Sequence, residues 1–372
     1  MTIHYDTVII GAGQAGPALA VRLASTGKKV AIIERKQFGG TCVNTGCIPT
    51  KTLIASARVA HMARRAMEYG VEIGNSITVD MKRVKERKDG VVRSSNEGLE
   101  KWLRGTENLT VYKGHARFEG ARQLRIADQL IEADQIFINV GARANVPQLA
   151  GLDEVSYLTN SSMMDVDYLP EHLIVVGGSY VGLEFGQMFR RFGSEVTIVE
   201  MGPRLIHRED EDVSSAIREI LENESIHIRL DAECIALEKQ GDKVAVDLNC
   251  RTGDKQVIGS HLLLAVGRVP NTDDLGLEKV GVAVDQRGYI QVDDQLRTNV
   301  AGIYALGECN GRGAFTHTSY NDYEIVAGNL LDHDRRRISD RITAYALYTD
   351  PPLGRAGMTE AQVRKSGRKA LL

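Results

Sequence analysis

The sequence predicts an α/β fold built on two copies of a parallel β-α-β unit, and three observations carry that prediction. The first is an apolar run, Thr7-Val8-Ile9-Ile10, that ends in glycine. A helical pattern through Ala18, Leu19, Val21 and Leu23 follows, Gly27 breaks it, and Val30-Ala31-Ile32-Ile33 forms a second run. The second is recurrence. Leu173-Ile174-Val175-Val176 ends in Gly177-Gly178, a helical stretch passes Met188 and Phe189 to Gly193, and Val196-Thr197-Ile198-Val199 follows. The third is spacing: the first glycine and the acid closing the second strand are 23 residues apart in both copies, Gly11 to Glu34 and Gly177 to Glu200. Continuous rather than alternating apolar runs suit strands covered on both faces. Pro17 falls early in the first helix, where a missing N–H is tolerated.

Between the copies, residues 50–69 and 79–103 read as helices. Short strands follow near 109–112, 117–118 and 136–140, and residues 141–153, with Pro147, read as a connection between domains. Later strands are expected around 244–248 and 262–266, and Asp334-Arg335-Arg336-Arg337 reads as a solvated loop. A length of 372 residues suggests two or three domains. With 43% apolar and 26% charged residues the chain is of the globular class, and a net charge of −3 offers no field for nucleic acid or anionic membrane. No apolar run approaches the roughly 20 residues of a membrane span. No basic segment leads into a long apolar one at the N-terminus, which reads as the absence of a signal peptide and a cytoplasmic protein. Five cysteines make no disulfide scaffold, and Cys234, Cys250 and Cys309 read as small buried hydrophobes.

Gly11, Gly13 and Gly16 follow a strand and open a helix. The first permits the tight turn, the second the approach of a pyrophosphate, and the third close helix–strand packing. The helix start supplies N–H groups and positive dipole for phosphate, and Glu34 would accept from ribose hydroxyls. The second copy reads Gly177-Gly178-Ser179-Tyr180-Val181-Gly182, with Ser179 small enough to keep the approach close. Glu200 disfavours a 2′-phosphate and so favours NADH, although Arg204 and Arg208 follow closely and keep NADPH open.

The stretch Gly39-Gly40-Thr41-Cys42-Val43-Asn44-Thr45-Gly46-Cys47-Ile48-Pro49-Thr50-Lys51 carries two cysteines five residues apart. In a regular helix that separation means about 7.5 Å of rise, beyond the ~7 Å Cα limit of a disulfide. A bridge therefore needs a bent backbone, which Gly46 and the polar residues before it can supply. Pro49 suits the first turn of the next helix. Thiols near a helix start with a lysine close by are thiolate-prone, and so short a loop makes a poor structural staple. A redox-active pair is the favoured reading. Bystander thiols are the alternative, and zinc would need two further ligands that no spacing provides.

With these motifs together, the sequence resembles the pyridine nucleotide–disulfide oxidoreductases (glutathione reductase, lipoamide dehydrogenase and mercuric reductase) over nearly its whole length. Gly39 to Lys51 matches that family's redox-disulfide motif, Leu264-Ala265-Val266-Gly267-Arg268-Val269-Pro270-Asn271-Thr272 the motif closing its NAD domain, and Gly302-Ile303-Tyr304-Ala305-Leu306-Gly307-Glu308 its second FAD motif, with Glu308 where aspartate is usual. Thr45, Ile48, Thr50 and Thr52 bring it nearest to the mercuric-reductase-like members. The resemblance implies two nested Rossmann-like domains: a discontinuous FAD-binding domain, residues 1–145 plus 271–338, and an inserted NAD(P)-binding domain, residues 146–270. It implies FAD contacts from Gly11, Gly13, Gly16, Glu34, Gly40, Thr41, Gly141, Gly307, Glu308 and His317, and NAD(P) contacts from Gly177, Gly178, Ser179, Tyr180, Gly182, Glu200 and Gly267. By the same resemblance Cys47 faces the flavin, Cys42 attacks substrate, Lys51 and Glu184 form an ion pair beside the flavin, and Tyr180 gates the nicotinamide pocket. The helix after Thr316-His317-Thr318 is expected to point its N-terminus at the flavin.

The implied reaction takes hydride from NAD(P)H to FAD and then electrons to the Cys42–Cys47 disulfide, with a small molecule or metal ion as acceptor. No resident metal is expected. Residues 339–372 read as the start of the family's C-terminal dimerisation domain, so the sequence looks C-terminally truncated against the homodimeric family form. A truncated FAD-binding remnant with diaphorase activity alone, a lipoamide-dehydrogenase-like enzyme and a flavin-free nucleotide-binding protein are the competing readings.

Overall fold

The computed structural model describes residues 2–74, 76–367 and 369–371. The chain forms two compact units. The first holds the chain through Ile48, then Gly90–Arg143 and Arg268–Arg341; the second holds Pro49–Asp89, Ala144–Gly267 and the chain from Ile342.

The first unit is built on a seven-stranded sheet. Leu109–Lys113, Val30–Glu34, Ile3–Ile10 and Gln129–Ile138 lie side by side in parallel, and Ile303–Ala305 also pairs in parallel with Gln129–Ile138. Gln123–Ile126 and Ala116–Gly120 extend it antiparallel. Alternate residues of the central strands feed two separate cores. Val8, Ile10, Ala31 and Ile33 enter one; Ile9, Val30 and Ile32 enter the other, with Leu19 and Leu23 of the helix Gly16–Ala24 and Ile325 and Val326 of the helix Thr316–Leu331. Burial on both faces is why these strands carry no polar alternation.

The second unit repeats the plan. His227–Arg229, Glu195–Val199, His172–Val176 and His261–Leu264 form a parallel sheet. Leu173, Val175, Val196 and Ile198 meet Leu183, Met188, Phe189 and Phe192 of the helix Tyr180–Phe192. The opposite face, through Ile174, Val176 and Val199, meets Leu237, Val246 and Leu248 of an antiparallel sheet formed by Ala232–Gln240, Lys243–Cys250 and Gln256–Gly259. The hairpin Ala344–Leu347/Leu353–Ala356 also belongs to this unit.

The expected elements form with shifted ends. The stretch 50–69 is the helix Cys47–Arg64 followed by a turn at Ala66–Tyr69, 79–103 is Met81–Arg104, and the strand near 136–140 ends at Ile138. The strands Ala232–Gln240 and Gln256–Gly259 and the helix Glu211–Asn223 were not foreseen. Each buries only one narrow face, with Ser214, Ile217 and Leu221 buried in the helix. Among the described residues no helix is long and apolar enough to cross a membrane.

Phe189 is 1% exposed at the centre of the second unit's core. Phe189→Ala is expected to cost about 3–5 kcal/mol in urea-monitored unfolding, whereas Arg218→Ala, on an exposed helix face, should change stability by less than about 0.5 kcal/mol. Equal effects for the two would contradict this packing.

Candidate active site

The first glycine loop belongs to the first unit and is shaped by close backbone approach. Gly11 has φ +104°, and a Cβ there would stand 2.3 Å from the Asn139 carbonyl oxygen; a Cβ at Gly16 would stand 2.3 Å from the Gly11 oxygen. Glu34, buried at its strand end, braces the loop. Its Oε2 accepts from the Ala12 N–H at 2.9 Å and its Oε1 from the Lys36 N–H at 2.8 Å. A carboxylate offers about four lone-pair sites, so each oxygen keeps one for a ribose hydroxyl. The N-cap of the helix that follows, Ala15, brings no side-chain cap, and the Asn139 side-chain oxygen accepts from the Gly16 N–H at 2.9 Å. Small residues, a braced loop and a helix start without a side-chain cap together suit the pyrophosphate and ribose of a dinucleotide.

The second loop, in the second unit, has the same construction. Gly177 has φ +118° and a Cβ there would lie 2.4 Å from the Ala265 oxygen; at Gly182 it would lie 2.0 Å from the Gly177 oxygen. Glu200 repeats the brace, with Oε2 accepting from Gly178 N–H at 2.6 Å and Oε1 from Gly202 N–H at 2.8 Å. Ser179 is the N-cap of the helix Tyr180–Phe192 in extended backbone, and its side chain makes no cap bond. Arg204 donates to the His207 carbonyl at 3.1 Å, inside its own loop. Gly267, with φ +105°, accepts from the Asn145 N–H at 2.9 Å.

Lys51 and Glu184 meet within this second unit. The ammonium donates to both carboxylate oxygens, at 3.0 and 2.8 Å, and Glu184 also accepts from the Tyr348 N–H at 3.0 Å. Tyr180 donates to Glu209 Oε1 at 3.3 Å and packs edge-on against Tyr345, with ring centroids 5.4 Å apart. Burial raises the Tyr180 phenol pKa, and the neighbouring Glu209 carboxylate adds to the rise. Glu209 is shared with Tyr345 and Arg355.

The cysteine stretch is bent as a bridge requires. Gly39 and Gly40 adopt φ +90° and +59°, a short helix Gly40–Asn44 carries Cys42, Thr45 leaves helical geometry, and a new helix begins at Cys47. Gly46 serves close approach, since a Cβ there would lie 3.0 Å from the Thr41 oxygen. The same turn is docked on the first glycine loop. The Gly39 N–H donates to the Ala12 oxygen at 2.8 Å, and a Cβ at Gly40 would lie 3.0 Å from Gly13 Cα. Cys42 and Cys47 are both half-buried. Of the other three thiols, expected to be buried, Cys309 is, whereas Cys234 and Cys250 are only half-buried because they lie on the antiparallel strands Ala232–Gln240 and Lys243–Cys250. Burial pushes Cys234 up to about 11 and Cys309 up to about 12, so both stay protonated at neutral pH.

Gly307 has φ +73°, and its N–H donates to Asp322 Oδ2 at 2.7 Å. Glu308 is engaged by Arg268, whose Nε lies 2.7 Å from Oε1; burial raises the Glu308 pKa while Arg268 opposes the rise. Arg268 also reaches the Ala142 carbonyl and, at 3.4 Å, Thr41 Oγ1. Gly141, with φ +65°, accepts from the Asn271 N–H at 3.0 Å. His317 is exposed and stacks on Phe315 at a centroid distance of 5.6 Å. Sequence reasoning missed Arg268 as a partner of Glu308, Asp322 as the anchor of Gly307, and Thr316 beside Cys47. Arg268 and Thr316 both lie within motifs of the sequence, whose spacing does not reveal their partners; Asp322 carries no signal.

The family profile Pyridine nucleotide-disulphide oxidoreductase matches residues 5–322. The chain is 37% identical over 371 residues to the probable pyridine nucleotide-disulfide oxidoreductase RclA of Escherichia coli, covering 98% of this chain and 79% of that protein. It is 34% identical over 368 residues to a mercuric reductase of Streptomyces lividans, covering 98% and 77%. The Cu(II) complex of the HOCl-induced flavoprotein disulfide reductase RclA from Escherichia coli superposes with a TM-score of 0.89 at 36% identity, covering 99% of this chain and 80% of that one. Similarity is thus spread over differently named members rather than confined to the mercuric reductases. The protein is an FAD-dependent, NAD(P)H-linked disulfide oxidoreductase with a Cys42–Cys47 redox pair. The chain belongs to the pyridine nucleotide-disulphide oxidoreductase family.

Proposed function

We propose that this protein reduces a thiophilic acceptor, a soft metal ion before a small disulfide, with electrons drawn from NADH. The observation that carries the reading is the bent turn bearing Cys42 and Cys47, docked through Gly39 and Gly40 on the braced loop of Ala12 and Gly13. FAD, when bound, accepts hydride from the nicotinamide and passes two electrons to the disulfide. In this reading the glycine loop of the first unit, with Glu34, holds FAD, and the loop of the second unit, with Glu200, holds the nicotinamide coenzyme. Residues 1–145 plus 271–338 and residues 146–270 are the corresponding domains. Lys51 and Glu184 hold a fixed ion pair beside the flavin.

Breaking the Sγ–Sγ bond with two electrons and one proton leaves a thiol and a thiolate. Cys42 attacks or ligates the acceptor and Cys47 resolves it, so the S–S bond re-forms as one two-electron acceptor, or two one-electron acceptors, is reduced. Thiolates favour soft metal ions. The relatives' names point the same way, one being a mercuric reductase and another a reductase solved as a Cu(II) complex. The preference for NADH rests on the Glu200 carboxylate where a 2′-phosphate would lie, and on Arg204 being turned to its own loop carbonyl. The resemblance carries the further expectation of a cytoplasmic homodimer.

Anaerobic NADH should expose a new dithiol in the wild type, counted with Ellman's reagent, and none in Cys47→Ser. Cu(II) and Hg(II) reduction should fall to background in that variant while ferricyanide diaphorase activity survives. Metal reduction persisting in Cys47→Ser would remove the pair from the mechanism, and a wild type showing diaphorase activity with no metal or disulfide reduction would leave only a remnant.

Because Glu200 braces its loop as well as facing the ribose, coenzyme choice needs two variants. Glu200→Gln keeps an acceptor for the loop, and Glu200→Arg adds a cation for the phosphate. The NADPH/NADH ratio of kcat/KM should rise in both, by about tenfold or more in Glu200→Arg. An unchanged ratio in both would take Glu200 out of the specificity argument.

A further inference from the structure

Cys47 is the first residue of the helix Cys47–Arg64, and Thr316 is the first residue of the helix Thr316–Leu331. The two residues are 269 positions apart in sequence, yet Cys47 Sγ lies 3.0 Å from Thr316 Oγ1. Both are half-buried in the first unit. The start of the threonine's helix is pinned: the Phe315 N–H donates to Thr318 Oγ1 at 3.3 Å, and the Ser319 N–H to the Phe315 oxygen at 3.0 Å.

A hydroxyl beside sulfur discriminates between oxidation states. A thiol sulfur is a weak donor and a weak acceptor, so against a neutral thiol either atom can give the proton and the bond is weak. Divalent disulfide sulfur has no hydrogen to give and no charge to attract one. A thiolate can only accept, and a hydrogen bond to a charged acceptor is roughly twice as strong as a neutral one. The same hydroxyl therefore interacts most with the reduced, ionised pair and least with the disulfide. Only such a differential interaction can shift an equilibrium between the two states.

We propose that Thr316 is a positioning residue for the redox pair, its hydroxyl donating to Cys47 Sγ when that sulfur is a thiolate and so raising the reduction potential of the Cys42–Cys47 couple. The inference rests on the reading of these cysteines as the redox pair. In the reductive step two electrons from NAD(P)H, relayed through the established activity, break the Sγ–Sγ bond. Cys42 takes up one proton and leaves as the thiol; Cys47 leaves as the thiolate and accepts from Thr316. On reoxidation the acceptor takes the two electrons, the Cys42 proton is released, and the bond re-forms. The hydroxyl is neither consumed nor deprotonated.

The test compares Thr316→Val, which keeps the branched shape and removes the donor, with Thr316→Ser, which keeps the donor, both as FAD-loaded protein. Equilibration against dithiothreitol buffers at fixed pH should show Thr316→Val shifted about tenfold toward the disulfide, which is about 30 mV more negative for a two-electron couple. In a Cys42→Ser background, iodoacetamide should alkylate Cys47 several-fold more slowly when position 316 is valine. Thr316→Ser should stay close to wild type in both measurements. A valine variant with wild-type potential and wild-type alkylation rate overturns the proposal, and so does a serine variant as impaired as the valine one, because that would assign the effect to the methyl group. Should Thr316→Val fail to retain FAD, Thr316→Ala against Thr316→Ser makes the same comparison. Failure of the underlying reading looks different: NADH would then expose no dithiol in the wild type, whatever stands at position 316.

Discussion

Each nucleotide-binding unit depends on one contact, a carboxylate at a strand end gripping the backbone of the glycine loop beside it. Glu34 holds Ala12 and Glu200 holds Gly178, in both cases through Oε2, and in both cases Oε1 is tied to the N–H two residues further on. The grip is possible because the loops carry no side chains where backbone meets backbone. Gly11 and Gly177 stand where any Cβ would strike the Asn139 and Ala265 carbonyl oxygens, just beyond a neighbouring strand, and Gly16 and Gly182 where it would strike the loop itself. A charged acceptor bonding a backbone donor is stronger than a neutral pair, and that rigidity keeps the loop shaped for phosphate before any coenzyme arrives.

The first unit extends this preorganised loop into a redox site. Gly40 lies against Gly13, so the cysteine turn is held by the same backbone that faces the pyrophosphate. Asn44 secures the turn from the other side, donating to the Phe38 and Gly40 carbonyls at 2.8 and 2.9 Å. The five cysteines sort by environment. Cys42 and Cys47 sit half-buried on a bent turn at helix starts, Cys234 and Cys250 lie half-buried on antiparallel strands, and Cys309 is buried; desolvation keeps Cys234 and Cys309 protonated.

In the second unit the chain from Ile342 onward satisfies buried charges. Arg191, 5% exposed, pairs with Glu224 at 2.6 Å and with Asp350 at 2.8 Å, and the buried Glu209 takes Tyr345 and Arg355. Removing one partner from such a set would leave an uncompensated charge away from water, which is far more costly than losing a surface pair. Tyr180, tied to Glu209 and packed on Tyr345, is held by this arrangement rather than by the glycine loop that precedes it.

The sequence by itself determined the two β-α-β units, the glycine loops with their acids, and the bent cysteine turn. These are local features, in which periodicity, steric need and spacing act within about thirty residues. Lys51 and Glu184 were legible only through family resemblance, and the tertiary structure brings them together across 133 positions. Arg268 on Glu308, Asp322 on the Gly307 N–H and Thr316 on Cys47 were decided by tertiary structure alone. A hydrogen bond between residues far apart in the chain leaves no periodicity to read, because its partners are chosen by how sheets and helices stack. The charge-bearing segments that became Glu211–Asn223 and Ala232–Gln240 were hidden for a related reason: each offers the core one thin apolar edge, and only packing against a finished sheet makes that edge count.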